Sequence, residues 1–493
     1  MYFTPTTDHL EKAEVSVVLP LTEEQTAEIL KKKGRKPHEE LIASLTESDE
    51  FKGEKDQLVV LHTHKKIVPP RLLLVGLGKQ SDLTIEKIRR AYALATQKAK
   101  DMKLERFAAQ TVFEKIKHQE SLKAALEGIL LADYKFVKYK TEEKEKQKEI
   151  KDVQLLVQTM DYVKDTIAET QIVCDATTFV RDLQNENAEV MTTLKIEEIA
   201  RDLAKKHKLK ITVFDEKELQ KMGMGLLLAV GKGSVSPPRL IILEYRGNAA
   251  SGDTTALVGK GITFDTGGLN LKPTKSIETM KLDMSGAALV LGILKAAAEL
   301  KLRKNVIGVI PTCENMIGPK SYKPGDVYMS YAGLSVEIGN TDAEGRLILA
   351  DALAYTERNL KPARIIDFAT LTGAILISFG EFVAGMMGTD KDTAKKLFEA
   401  GQKTNDRVWE LPLYDEYLEE TKSDIADVNN IGYGYYAGSI MGAAFLKKFV
   451  KKTLWTHLDI AGTAWWEKGR YYTPKAGTGF GVRLMMEYLK TLE

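Results

Sequence analysis

The chain has 493 residues, 44% hydrophobic and 28% charged, which is enough apolar content for a sizeable core and roughly two to four domains. Lysine and arginine total 71 against 69 acidic residues, and a net charge of +2 speaks against a basic face for nucleic acid or anionic membrane. Two distant cysteines, Cys174 and Cys313, exclude a disulfide framework or thiolate zinc site and read as buried thiols in a reducing compartment.

From the N-terminus, "MYFTPTTDHLEKAEVSVVLP" lacks the basic start and apolar run of a secretory signal. No stretch approaches about 18 uninterrupted apolar residues, so no membrane span is expected and the location expected is cytoplasmic. "VSVVLP" (15–20), "QLVVLHT" (57–63) and "RLLLVGLG" (71–78) predict buried strands, and residues 84–101 and 121–132 carry helical spacing. "KYKTEEKEKQKEIKD" (138–152) predicts a solvated charged connection ahead of a strand "VQLLVQ" (153–158). A helical bridge over 161–183 leads to a helix over 192–206 and a strand "KITVFD" (210–215). "LLLAV" and "RLIILEY" within 226–245 and "TALVGKG" (255–261) predict further strands. Then come a helix 285–300, a strand "NVIGVIP" (305–311), a helix 346–358, a strand "ARIIDFA" (363–369) and a terminal helix 481–491. Such alternation predicts an α/β class with helices flanking a mixed sheet. The expected organisation is an accessory α/β domain over 1–160, a linker helix over 161–183 and a larger α/β domain over 184–493, with no internal repeat.

Charged residues gather where strands should end, the usual ligand-collecting edge of an α/β sheet. "LVGKGITFDTGGLNLKP" supplies Lys260, Asp265 and Lys272 among glycines, "MKLDMSGAA" supplies Asp283, and "NTDAEGRL" supplies Asp342, Glu344 and Arg346. Taken alone, Asp342 and Glu344 read as helix capping and each lysine as solvated. Four carboxylates sharing one pocket would not all stay ionised without cations, and oxygen-rich sites suit hard or borderline divalent ions. These motifs contain no histidine, which excludes a zinc site of the H-E-x-x-H type. "GKG" is not a phosphate loop, because Ile262 follows it.

Together with "YKPGDV", "DFATLTGA" and "WTHLDIAGTAW", these motifs closely resemble the leucyl aminopeptidase (cytosol aminopeptidase) family, peptidase family M17, over roughly residues 180 to 490. The N-terminal part is similar only in length and alternation to the family's macro-like accessory domain. The resemblance implies two divalent metal ions per subunit, Mn²⁺ or Zn²⁺. Lys260 and Asp283 match ligands of one ion, Asp342 a ligand of the other, and Asp265 and Glu344 the carboxylates bridging both. Lys272 and Arg346 match the two catalytic residues, Lys272 as electrophile and Arg346 as anchor of a bicarbonate general base, with a hydroxide held between the ions as nucleophile. Met280 and Thr370 match residues around the first substrate side chain, and Leu371 and Gly373 match backbone groups that hold the substrate.

The activity so implied is removal of N-terminal residues, preferably leucine and similar apolar ones, from peptides with a free N-terminus by a homohexamer. Membrane and nucleic acid are not expected partners. Ser285 and Ile277 depart from residues common in the family, and neither is a matched ligand. His457 is expected to be a core or supporting histidine. Two rival readings are a phosphoesterase on the same metals and a nucleotide- or DNA-binding role for the first domain, where "VGLGK" (75–79) is the one glycine-rich run.

Overall fold

Six strands form the first sheet: β1 (Tyr2–Thr6), β2 (Val17–Leu21), β3 (Leu58–His62), β4 (Arg71–Gly76), β5 (Arg106–Gln110) and β6 (Asp152–Leu156), in the order β1-β6-β5-β2-β4-β3. All neighbours pair in parallel except the edge strand β3. Both faces are covered, as a parallel sheet requires. Val18, Leu73 and Val75 pack with the helices Ile85–Asp101 and His118–Asp133, while Val17, Leu19, Leu72 and Leu74 face a second cluster with Leu41 and Ile42. This computed structural model describes residues 1–113, 115–142, 149–432 and 436–492. It divides into two units, Met1–Asp175 with Lys468–Pro474, and Ala176–Glu467 with Lys475–Glu493. One helix, Val163–Asn185, runs through the division. Part of the charged run 138–152 lies outside the described residues.

The second unit is built on β7 (Lys210–Phe214), β8 (Arg239–Arg246), β9 (Thr254–Gly259), β10 (Gly261–Asp265), β11 (Asn305–Asn315), β12 (Val327–Met329), β13 (Ser335–Glu337), β14 (Arg364–Ala369), β15 (Ala384–Gly388), β16 (Val408–Glu410), β17 (Val428–Asn429) and β18 (Leu454–Asp459). Its main sheet runs β16-β15-β18-β14-β9-β11-β8-β7, with β10 paired to the end of β11. The central strands β18, β14, β9 and β11 are parallel, so their carboxyl ends share one edge. Helices cover both faces. Ile307 and Val309 join a core with Leu347 and Leu353 of the helix Glu344–Tyr355, whereas a Cβ at Gly308 would meet Val290 and Leu294 of the helix Ser285–Glu299 at 2.6 Å. The chain steps from β9 to β11 on one side and returns to β14 on the other, and the crevice where strand order reverses in this way is where α/β sheets bind ligands. The expected α/β class with a mixed, helix-flanked sheet is the one observed.

Two expectations need correction. "LLLAV" (226–230) is not a strand but most of the helix Gly225–Gly231. Asp351 decides this from 125 residues away, its Oδ2 accepting from Leu226 N at 2.9 Å and Leu227 N at 3.0 Å. A short apolar run does not distinguish strand from buried helix by itself. Strands β1 and β5 of the first sheet lie outside the expected elements, as do β12, β13 and β15–β17 of the second unit. β1 ("YFTPT") is made of strand formers apart from Pro5, which demotes it to an edge strand, and β5 ("RFAAQ") is alanine-rich and lacks strand composition.

Candidate metal centre

The strand-end loops meet because small residues let them approach. A Cβ on Gly286 would lie 2.2 Å from Phe368 O and 2.6 Å from Lys260 N, so the glycine seats the start of helix Ser285–Glu299 against β9 and β14. That seating brings Asp283 to Lys260. On the other side a Cβ on Gly345 would strike Lys260 Cε at 2.5 Å, so the glycine of NTDAEGRL leaves the passage for the lysine side chain. Alanine at either position would push a ligand loop away.

Lys260 Nζ donates to Asp283 Oδ1 at 2.8 Å and Thr370 O at 2.9 Å, and pairs with Glu344 Oε1 at 2.8 Å. Lys272 Nζ spans Asp265 Oδ2 at 2.8 Å and Asp342 Oδ1 at 2.5 Å. Thr370 Oγ1 donates to Asp283 Oδ1 at 2.6 Å. Lys260, Asp265, Asp283 and Glu344 are buried, whereas the Asp342 side chain is 32% exposed, so the centre opens to solvent at its Asp342–Lys272 end. Asp342 does not cap the following helix. The cap position is Ala343, which makes no side-chain cap bond, so the capping reading of this aspartate is excluded.

Four carboxylates here face two ammonium groups, leaving negative charge in excess. The excess shows in their acidities. Burial, with Glu344 and Asp283 beside it, raises Asp265 well above the usual carboxylate range. Burial holds Asp283 up at about 6 against the pull of Lys260, and burial also raises Asp342. Burial would raise Glu344 too, but Lys260 and Lys272 carry it below its ordinary value. Both lysines are raised, since the surrounding carboxylates outweigh the burial that would lower them. Asp265, Asp342 and Glu344 each bring a carboxylate oxygen within 4.8 Å of the others, and the buried Glu344 Oε2 has no hydrogen-bond partner. Converging oxygens, an orphaned buried acceptor and uncompensated charge are what a divalent cation satisfies, so the residues fit the ions that the motifs imply.

The other residues singled out in the sequence fall around this cluster. Arg346, in the first turn of helix Glu344–Tyr355, is buried; its Nη1 donates to Asn430 O at 2.7 Å and its Nε has no partner. Burial pushes its guanidinium down to about 10. Leu371 is half-buried and Gly373 exposed at the start of helix Gly373–Phe379. Leu371 N already donates to Asp459 Oδ1 at 3.1 Å, so only its carbonyl is left for a substrate. Met280 is half-buried in the turn Met280–Leu282 that leads to Asp283.

Three supporting residues escaped the reading of the sequence. Asp459, fully buried at the end of β18, also accepts from Thr372 Oγ1 at 2.6 Å and so anchors the loop after β14. Asn430 follows β17, whose parallel pairing with β13 sets it beside the NTDAEGRL loop, where its Oδ1 accepts from Gly339 N and Asn340 N. Asn315 ends β11 beside Asp265. Position at a strand end was the available signal, but nothing local separates these residues from ordinary turn formers. His457 is a core residue as expected, its Nδ1 donating to Asp367 Oδ1 at 2.6 Å.

Fold and site together define an α/β metalloprotein whose cation centre stands at the carboxyl ends of the central strands. The catalytic-domain profile of the cytosol aminopeptidase family matches residues 178–486, and the family's N-terminal-domain profile matches residues 18–143. A probable cytosol aminopeptidase of Geotalea uraniireducens is 46% identical over 456 residues, 92% of each chain. One from Protochlamydia amoebophila is 44% identical over 459 residues, covering 92% of this chain and 91% of the relative. Among solved structures, the bottromycin maturation enzyme BotP in complex with Mn superposes with a TM-score of 0.85 at 29% identity, covering 97% of this chain and 99% of that one. The chain belongs to the cytosol aminopeptidase family and is a metal-dependent aminopeptidase. Among the described residues no helix is long and apolar enough to cross a membrane.

Proposed function

We propose that the protein removes the N-terminal residue, preferably leucine and similar apolar residues, from cytoplasmic peptides, using two divalent ions, Mn²⁺ or Zn²⁺, and a bicarbonate at Arg346. The observation that carries the reading is the convergence of Asp265, Asp342 and Glu344 beside the Lys260–Asp283 pair. Lys260 and Asp283 would hold one ion and Asp342 the other, with Asp265 and Glu344 serving both. When bound, such ions supply Lewis acidity toward a carbonyl oxygen and lower the pKa of water.

The chain's own residues do the rest. Lys260 offers a lone pair only as the neutral amine, so its proton must leave when the centre is loaded. Lys272 keeps its proton and, once released from Asp265 and Asp342, would face the oxyanion that develops on the scissile carbonyl. Arg346 would hold bicarbonate through its free Nε edge, the planar fork suiting a planar anion, and bicarbonate so held supplies a proton acceptor. The half-buried Met280 and the buried Thr370 would receive the first side chain, a flexible methionine suiting leucine-like groups. The apolar exposure of Ile377 and Phe382 near Gly373 supports assembly with further copies, expected as a homohexamer.

The reading requires a free amine on the substrate. Leucyl anilide should be hydrolysed and its N-acetyl derivative should not, while phosphate esters should be inert. Turnover of phosphate esters without leucyl anilide hydrolysis would favour the phosphoesterase alternative.

The two-ion assignment has its own check. Asp265→Ala and Glu344→Ala should each lose more than one ion per chain, and Asp283→Ala and Asp342→Ala chiefly one, by elemental analysis of the purified variants. Normal occupancy in Glu344→Ala would contradict its bridging role. Lys272→Ala should keep both ions and lose about 10²–10³ in turnover, the usual cost of removing a preorganised oxyanion partner. An unchanged kcat with a raised KM would make Lys272 a substrate-binding group only.

A further inference from the structure

The loops that carry Asp265 and Asp342 are separate in sequence, and one buried side chain joins them. Asn315 Nδ2 donates to Asp265 Oδ1 at 2.8 Å and to Thr341 O, the carbonyl preceding Asp342, at 3.0 Å. Both neighbours are acceptors only, so the orientation of the amide is forced and both its protons are spent. Its own Oδ1 is left buried without a partner, a cost that an apolar side chain of the same size would avoid. The asparagine is therefore held in place by more than packing. Its main chain serves the same loop, since Asn315 O accepts from Thr266 N at 3.0 Å and Thr266 Oγ1 at 2.9 Å.

The consequence for Asp265 is geometric. Its Oδ1 takes two donors, Asn315 Nδ2 and Gly267 N, both at 2.8 Å. Oδ2 alone is turned toward Lys272 and the cluster. We propose that Asn315 is a positioning residue of the metal centre, clamping Asp265 so that a single oxygen, Oδ2, is offered to the ions, and fixing the Asp342 loop to the same point. Aspartate would set a like charge against Asp265, serine would bring one donor where two are used, and leucine none. This inference rests on the reading of Asp265 as a metal ligand.

Partners that orient a ligand without touching the ion typically account for 10–100-fold in metal affinity. In the full-length chain, Asn315→Leu should therefore bind Mn²⁺ about 10–100-fold more weakly by titration followed by electron paramagnetic resonance. Asn315→Ser, which retains one donor in a smaller side chain, should fall between it and the wild type. Metal-free Asn315→Leu should melt no lower than the metal-free wild type, because it removes an orphaned acceptor along with the donors. Activity of both variants should climb as Mn²⁺ is raised, which a role in the chemical step would not allow. If Asn315→Leu folds and binds Mn²⁺ within about threefold of the wild type, short of the 10–100-fold expected of such partners, or if Asn315→Ser binds more weakly than Asn315→Leu, the clamp is wrong. Asp265→Ala measured beside them separates the two failures. Should it also bind like the wild type, the metal-ligand reading falls first; should it lose binding while the Asn315 variants do not, only the clamp falls.

Discussion

Excess chelator should abolish leucyl anilide hydrolysis while leaving the melting transition of the protein nearly intact, and Mn²⁺ or Zn²⁺ should restore the activity. The loss should be complete because no side chain at the centre replaces the Lewis acidity of the ions; Lys260 and Lys272 bring charge but no open coordination position. The fold should survive for the same electrostatic reason. In the ion-free arrangement Lys260 pairs with Asp283 and Glu344, and Lys272 with Asp265 and Asp342, so every carboxylate keeps a cation within 2.8 Å. The apolar core of the sheet, from Ala256 and Val258 to Leu347 and Trp455, does not involve the ligands. Full activity after prolonged exposure to excess chelator would overturn the metal reading. Unfolding on chelation would show that the ions also serve the fold.

Arg346→Ala should keep its ions and turn over more slowly by about 10²–10⁴, the range typical of lost acid–base assistance. The four carboxylates nearest the reaction are all engaged with Lys260 or Lys272 and assigned to ions, which leaves none free as a base. Arginine keeps its own proton, so it acts through the anion it holds. The Asn430 carbonyl fixes one arm of the guanidinium and leaves Nε without a partner, an edge prepared for an oxyanion. Wild-type protein in carbonate-depleted buffer should slow and recover on addition of bicarbonate, and Arg346→Ala should respond weakly. A variant as responsive as the wild type would reduce Arg346 to ordering the helix start.

The sequence by itself determined the α/β class, the strands β9, β11 and β14 with the helices Ser285–Glu299 and Glu344–Tyr355 that flank them, and the residues that converge at the centre. Its strongest signals are local: Lys260 stands between β9 and β10 with a glycine on either side, Asp265 ends β10 just ahead of Gly267 and Gly268, Asp283 and Asp342 lie in the turns ahead of two helices, and Glu344 opens the second of these. Tertiary structure decided what depends on register between distant segments. Parallel pairing of β10 with β11 sets Asn315 beside Asp265, and pairing of β13 with β17 sets Asn430 against Arg346, across separations of 50 and 84 residues. The helix Gly225–Gly231 exists where an apolar run read as a strand because Asp351 caps it from another helix. Asp342 reads locally as a helix cap, yet Lys272 holds its carboxylate instead. In each case the local residues left the outcome open, and a charged or hydrogen-bonding partner brought from far along the chain made the choice.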